Sequence, residues 1–280
     1  GLRVSVHGDD FTSEGSLEAV QWFHAIIQTY WKCKDRGILG PPGMKGTVQD
    51  MRHLNRLIRW TQIGIEYEAD PRHAEILFQA FGSVGCKVTT PLVRTHLEDG
   101  DLTPLSEDDA FRYRSHAMRL GFISHDRTDL QRSVRELAKG LQNPTVYDHS
   151  LLKRVVRYLR HKPRLIQQFR YQWGFRHLDT YSDSDHAGCV RTRKSTSGGA
   201  VMMGTSMTKS WCRGQSVIAL SSGEAEFYAL RAAACEALGE QAMARGFGIH
   251  LPVRVHMDAT AGAAIGSRKG LGKVKHIHSP

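Results

Sequence analysis

The chain has 280 residues, 40% hydrophobic and 24% charged, with a formal net charge of +10. That length allows about two domains of roughly 100–200 residues, and the composition excludes a disordered or collagenous chain. No apolar run reaches the roughly 18 residues that span a bilayer, and no secretory leader pattern opens the chain. The basic balance suits a polyanionic partner without identifying one.

The chain opens on Leu2, Val4 and Val6 alternating with Arg3, Ser5 and His7, the period of a half-buried strand. It runs into Gly8-Asp9-Asp10-Phe11. Glycine lets the backbone turn sharply and brings both carboxylates to a hairpin tip. An aspartate pair there suits magnesium and phosphoryl transfer; an Asp-rich turn without chemistry has the same look.

An amphipathic helix is expected over 16–31, with Leu17, Val20, Phe23, Ile26 and Ile27 on one face. Gly37, Gly40, Pro41, Pro42 and Gly43 break the chain after it. Residues 57–67 read as one strand with Trp60, Ile63 and Ile65 as apolar members. Asp70-Pro71 leads into a helix over 73–81, stopped by Gly82. Residues 89–107, with Thr90-Pro91, Asp99-Gly100-Asp101 and Pro104, read as a connecting loop.

Three helices are expected between 108 and 160. In the third, Leu152, Val155, Val156 and Leu159 form a core stripe, while Lys153, Arg154, Arg157 and Arg160 project elsewhere. That basic set is either a phosphate-contacting face on a duplex or a solvated surface. Residues 162–177 lead into a second domain.

The chemistry-bearing stretch is 178–258. A strand over 178–182 ends at Asp183, with Asp185 expected in the loop beyond it. Lys194-Ser195-Thr196-Ser197-Gly198-Gly199 reads as a Ser/Gly-rich hairpin. Ser221-Ser222-Gly223-Glu224-Ala225-Glu226 opens a helix, with Ser221 and Glu224 spaced as a capping box. A strand over 253–257 ends at Asp258, which also suits a cap on a helix starting at Ala259. An acid ending a strand, one opening a helix and one ending another strand can converge on divalent metal. Phosphodiester cleavage needs an activated water and a stabilised leaving oxygen, and two magnesium ions about 4 Å apart serve both. The five cysteines are scattered, without a Cys-x-x-Cys pair, and read as reduced packing residues. His276-x-His278 lacks a third ligand nearby and reads as a tail feature.

The order of these blocks resembles the ribonuclease H domain of copia-type retrotransposon polyproteins. That family typically reads Asp-Ala-Asp-Trp-Ala-Gly, Arg-Lys-Ser-Thr-Ser-Gly, Ser-Ser-x-Glu-Ala-Glu-Tyr-x-Ala-Leu and a strand ending in Asp. Here Asp183-Ser184-Asp185-His186-Ala187-Gly188, Arg193-Lys194-Ser195-Thr196-Ser197-Gly198 and Ser221-Ser222-Gly223-Glu224-Ala225-Glu226-Phe227-Tyr228-Ala229-Leu230 follow that pattern, then Asp258. Upstream, Val6-His7-Gly8-Asp9-Asp10 resembles the family's polymerase hairpin, with His7 where an aromatic is usual. Asp70-Pro71-Arg72-His73-Ala74 resembles the phrase that opens its thumb. Arg127-Thr128-Asp129-Leu130 departs from the family's Arg-Pro-Asp-Ile, and the lost proline is expected to loosen that turn.

The resemblance implies an α/β (α+β) fold: polymerase palm end and thumb over 1–88, helical connection over 89–176, and an incomplete ribonuclease H-like mixed sheet with helices over 177–280. It implies two-metal hydrolysis of the RNA strand of RNA–DNA hybrids with Mg2+ or Mn2+. Asp183, Glu226 and Asp258 are then the ligands, Asp183 is favoured over Asp185, and Glu224 serves as the cap. Asp9 and Asp10 would belong to a partial RNA-directed DNA polymerase site, and Lys153, Arg154, Arg157 and Arg160 to nucleic-acid binding. The implied partners are hybrid, template RNA, nascent DNA and upstream polymerase and integrase parts of one polyprotein, without membrane. The implied setting is a cytoplasmic virus-like particle and the nucleus. The first palm aspartate is expected upstream of Gly1. The final strand and a fourth acid are expected beyond the chain or absent, since His278 stands where the family has an acid. The competing reading is a catalytically inactive remnant that binds hybrid through its basic surface.

Overall fold

The computed structural model describes residues 1–83, 85–93, 101–189 and 191–267. β1 (Arg3–His7) and β2 (Asp10–Glu14) form an antiparallel hairpin in which His7 pairs with Asp10. The two-residue loop leaves Gly8 at φ +62°, the conformation that such a tight turn takes from glycine. Both strands are largely exposed. α1 (Leu17–Tyr30) starts where the Ser16 hydroxyl accepts from the Ala19 N–H, and of its apolar face only Ile27 is buried.

β3 (Asp50–His53), β4 (Arg56–Thr61), β5 (Gly64–Ala69) and β6 (Gln167–Arg170) make an antiparallel sheet in that order. The single strand expected over 57–67 is instead a hairpin. Thr61 Oγ1 donates to the Gly64 carbonyl and accepts from the Ile63 N–H, closing a turn that carries no Pro-Gly or Asn-Gly signal. β6 approaches closely at Gly64, where a Cβ would stand 2.1 Å from the Phe169 carbonyl oxygen.

α2 (Arg72–Phe81), α3 (Glu107–Ser124), a 3-10 turn (Thr128–Leu130), α4 (Gln131–Ala138) and α5 (Val146–His161) form the helical layer. The expected stripe Leu152, Val155, Val156 and Leu159 lies fully in its core with Leu77, Val88, Tyr113, Leu120, Leu130 and Leu137. α5 begins on a true capping box between Thr145 and Asp148. Leu77 and Val88 share one core with Tyr113 and Leu159 across the boundary expected at residue 88, and β6 pairs with β5. One expectation fails here. The turn at Thr128 is not loose: the buried Arg127 guanidinium grips Asp129 and the carbonyls of Lys162 and Pro163. The Asp99-Gly100 part of the expected loop lies outside the described residues.

β7 (Leu178–Asp185), β8 (Thr196–Met203), β9 (Ser206–Gly214) and β10 (Val253–His256) form the last sheet, in order β10-β7-β8-β9. β10 runs parallel to β7, and the other pairings are antiparallel. The stretch expected as a Ser/Gly hairpin is mostly β8 itself. Its glycines serve packing: a Cβ on Gly199 would stand 2.2 Å from the Trp211 ring. α6 (Ser222–Gly246) covers this sheet through buried Ala225, Ala229, Ala233 and Ala237, a stripe at every fourth residue that keeps the helix close. Leu178, Val201, Trp211, Ala233 and Leu251 form the core between them. α7 (Thr260–Gly266) packs against α6. The fold is thus α/β, and no helix among the described residues is long and apolar enough to cross a membrane.

Candidate metal centre

β7 alternates strictly. Leu178, Thr180 and Ser182 are buried, while Tyr181 and Asp183 are exposed. The strand runs three residues further than expected, so both Asp183 and Asp185 lie within it rather than at and past its end. Parallel pairing with β10 brings the segment after His256 to the same end of the sheet, and Asp258 follows there. α6 then delivers Glu226 from its first turns. The carboxylates of Asp183, Glu226 and Asp258 each offer an oxygen within 4.8 Å of the others, with Glu226 buried and the two aspartates exposed.

Glu226 is the hinge of the cluster. Its Oε1 accepts from the Ser184 N–H at 3.2 Å and from the Ser184 hydroxyl at 2.8 Å. Its Oε2 is buried and has no hydrogen-bond partner among the described residues. Burial pushes the Glu226 carboxyl above its ordinary value; the negative charges of Asp183 and Asp258 add to this, against the stabilising bonds from Ser184. Two like charges beside a buried carboxylate with an unsatisfied oxygen are what a divalent cation relieves, so these residues fit the metal that the resemblance implies.

The neighbouring acids have other partners. Asp185 accepts from the Thr196 N–H at 2.9 Å and ion-pairs with Arg132 at 2.6 Å. Glu224 caps α6, though not as a reciprocal box: its N–H donates to Ser221 Oγ while its Oε2 accepts from the Leu220 N–H, one residue ahead of the cap. Asp258 does not cap α7, whose start has no side-chain cap bond. Beside the centre, Asp179 is held down to about 2 by hydrogen bonds from Arg254 and His256, and His256 stacks on Tyr181 with ring centroids 4.8 Å apart. Ser184 and Arg132 were not singled out from sequence. Strand alternation places Ser184 on the helix-facing side of β7, which was the available signal for it.

No protein-family model matches the chain. An uncharacterised mitochondrial protein of Arabidopsis thaliana is 27% identical over 184 residues, covering 62% of this chain and 75% of the relative. The secreted RxLR effector protein 161 of Plasmopara viticola is 36% identical over 112 residues, covering 40% of this chain and 78% of that protein. The chain belongs to one family with the second of these proteins, and its likeness to the first supports a retrotransposon origin.

Elsewhere in this retrotransposon-derived chain the expected residues lie apart from the centre. Asp9 and Asp10 sit at the exposed tip of the β1–β2 hairpin, and among the described residues no third acid, histidine or cysteine converges with them. The arginines of α5 have partners within the fold. Arg157 donates to the Cys86 carbonyl at 2.9 and 2.6 Å, Arg154 to Thr90 Oγ1 at 3.0 Å, and Arg160 to the Phe78 carbonyl at 2.8 Å. Only Lys153 of that set has no hydrogen bond of this kind, and it is exposed. Arg154 and Arg157 thus tie the chain between α2 and α3 onto α5, and Arg160 ties α2 itself. All five cysteines are free. His276 and His278 lie outside the described residues.

Proposed function

We propose that this chain cleaves the RNA strand of RNA–DNA hybrids in a divalent-metal-dependent hydrolysis, with Asp183, Glu226 and Asp258 as the ligand set. The observation that carries the reading is the convergence of these three carboxylates around a buried Glu226 oxygen that no group among the described residues satisfies. Magnesium or manganese bound there supplies charge neutralisation at the scissile phosphate and makes water a stronger acid. The chain's own residues do the rest. Ser184 fixes the Glu226 carboxylate by two bonds, so its free oxygen has one direction to face. Asp183 and Asp258 are exposed, which leaves the centre open to a duplex on the solvent side. Hybrid selectivity would rest on helix shape and the ribose 2′-hydroxyl, since A-form-like duplexes offer side chains little base readout. No polymerase step is assigned to Asp9 and Asp10.

The alternative, an inactive hybrid-binding remnant, draws on the net charge of +10. Substrate choice tests the reading. With magnesium, the protein is expected to cut the RNA of a labelled RNA–DNA hybrid and to leave a DNA duplex of the same sequence intact. Binding to the hybrid without cleavage, even with manganese, would support the remnant instead.

A further inference from the structure

Asp183 and Asp185 stand two residues apart on β7, so both carboxylates leave the same face of the strand, about 7 Å apart along it. Either could reach for a cation placed at this strand end. What separates them is a residue from the helical layer. Arg132, in the first turn of α4, places Nη2 2.6 Å from Asp185 Oδ2, while the Thr196 N–H holds Asp185 Oδ1 at 2.9 Å. The loop after β7 closes over that carboxylate so tightly that a Cβ on Gly188 would stand 2.2 Å from it. Arg132 is itself held in place. Glu136, one turn along α4, lies 3.5 Å from its Nε, and its neighbour Gln131 donates to Ser210 Oγ at 2.9 Å on β9. A second tie runs the other way, from Arg191 in the β7–β8 loop to the buried Asp148 of α5 at 3.4 Å. Among the described residues, no comparable cation engages Asp183.

We propose that Arg132 is a positioning residue that selects the ligand: by engaging Asp185 it leaves Asp183 as the aspartate of β7 that meets the metal. The inference rests on the metal reading of the Asp183–Glu226–Asp258 cluster. It makes the helical layer part of the centre, since the selecting side chain comes from α4 and not from the sheet that carries the acids. It also explains why two aspartates on one strand face need not compete.

The test is calorimetric titration with Mn2+, without substrate, on folded proteins whose melting transitions match wild type. Asp183→Asn is expected to weaken binding roughly tenfold or more, the scale on which metal sites respond to altered coordination shells. In Arg132→Ala/Asp183→Asn, the released Asp185 takes over and most of that loss is recovered. Adding Asp185→Asn to that pair removes the recovery. If Arg132→Ala does not fold, Arg132→Gln keeps the stem and serves in its place. A double variant that binds no better than Asp183→Asn overturns the selection proposal and leaves the metal reading standing. Wild-type binding unchanged by Asp183→Asn overturns the metal reading itself.

Discussion

Glu226→Gln is expected to remove hybrid cleavage while making the protein more stable. The glutamine carbonyl can keep both bonds from Ser184, so the side chain stays in place. What changes is the buried, partnerless Oε2 and its charge between Asp183 and Asp258. Metal ions contribute several kcal/mol of charge stabilisation to such reactions, and about 4 kcal/mol corresponds to a thousandfold in rate. A loss of roughly that size or more is expected in initial rates. The stability gain follows from linkage. The folded-state pKa of Glu226 lies above its unfolded value, so its ionisation opposes folding. Wild-type stability therefore rises as pH falls through the folded pKa towards the unfolded one. The glutamine variant lacks this dependence and should be more stable at neutral pH by roughly 0.5–2 kcal/mol in denaturant melts, the usual scale for relieving a strained functional site. Cleavage within a few-fold of wild type would remove Glu226 from the ligand set.

Arg127→Ala carries the largest expected effect on stability. The Arg127 guanidinium is buried, donates to both oxygens of Asp129 at 3.0 and 2.8 Å, and reaches the carbonyls of Pro163 and Lys162 beyond the end of α5. Truncation leaves Asp129 with the Tyr158 hydroxyl, at 2.8 Å, and orphans two carbonyls. Removing one partner of a buried ion pair costs about 3–5 kcal/mol. Lysine restores the charge but not the planar fork, so Arg127→Lys should recover only part of the loss. The pH dependence supplies an independent check. Burial alone would raise the Asp129 pKa, but the bonds from Arg127 and Tyr158 outweigh it and hold the carboxyl below its ordinary value. That contribution is present above the unfolded carboxylate pKa and is lost as pH falls through the folded one. Denaturant melts from pH 7 down to 3 should show this acid-side decline in wild type and a shallower one in Arg127→Ala. Equal stability of the two proteins at pH 7 would contradict the account.

How much of this was legible in the sequence depended on distance along the chain. Local patterns put acids near where β7 ends, α6 begins and β10 ends, but only the resemblance favoured Asp183 over Asp185 and Glu226 over Glu224. The core stripe of α5 was legible locally, as a pure 3.6-residue period. The hairpin at Gln62-Ile63 was not, because a threonine hydroxyl closes it in place of the usual turn residues. β8 was mistaken for a turn because Gly199 answers to the Trp211 ring, a demand made by another strand. The carbonyl partners of Arg157 and Arg160, on Cys86 and on Phe78 of α2, have no signature in the sequence of α5. The Arg132–Asp185 pair has no local signature at all. Nor has the β5–β6 pairing, which spans the whole helical segment.

The central claim is that Asp183, Glu226 and Asp258 together make a metal-dependent centre that cuts RNA in hybrids. The most direct measurement is magnesium-dependent cleavage of an end-labelled RNA–DNA hybrid by wild type and by Asp183→Asn, with both shown to be folded by their melting transitions. The account predicts cleavage by wild type that stops on chelation and is lost in Asp183→Asn. Cleavage of equal rate in both proteins, or none in wild type with either magnesium or manganese, would contradict it.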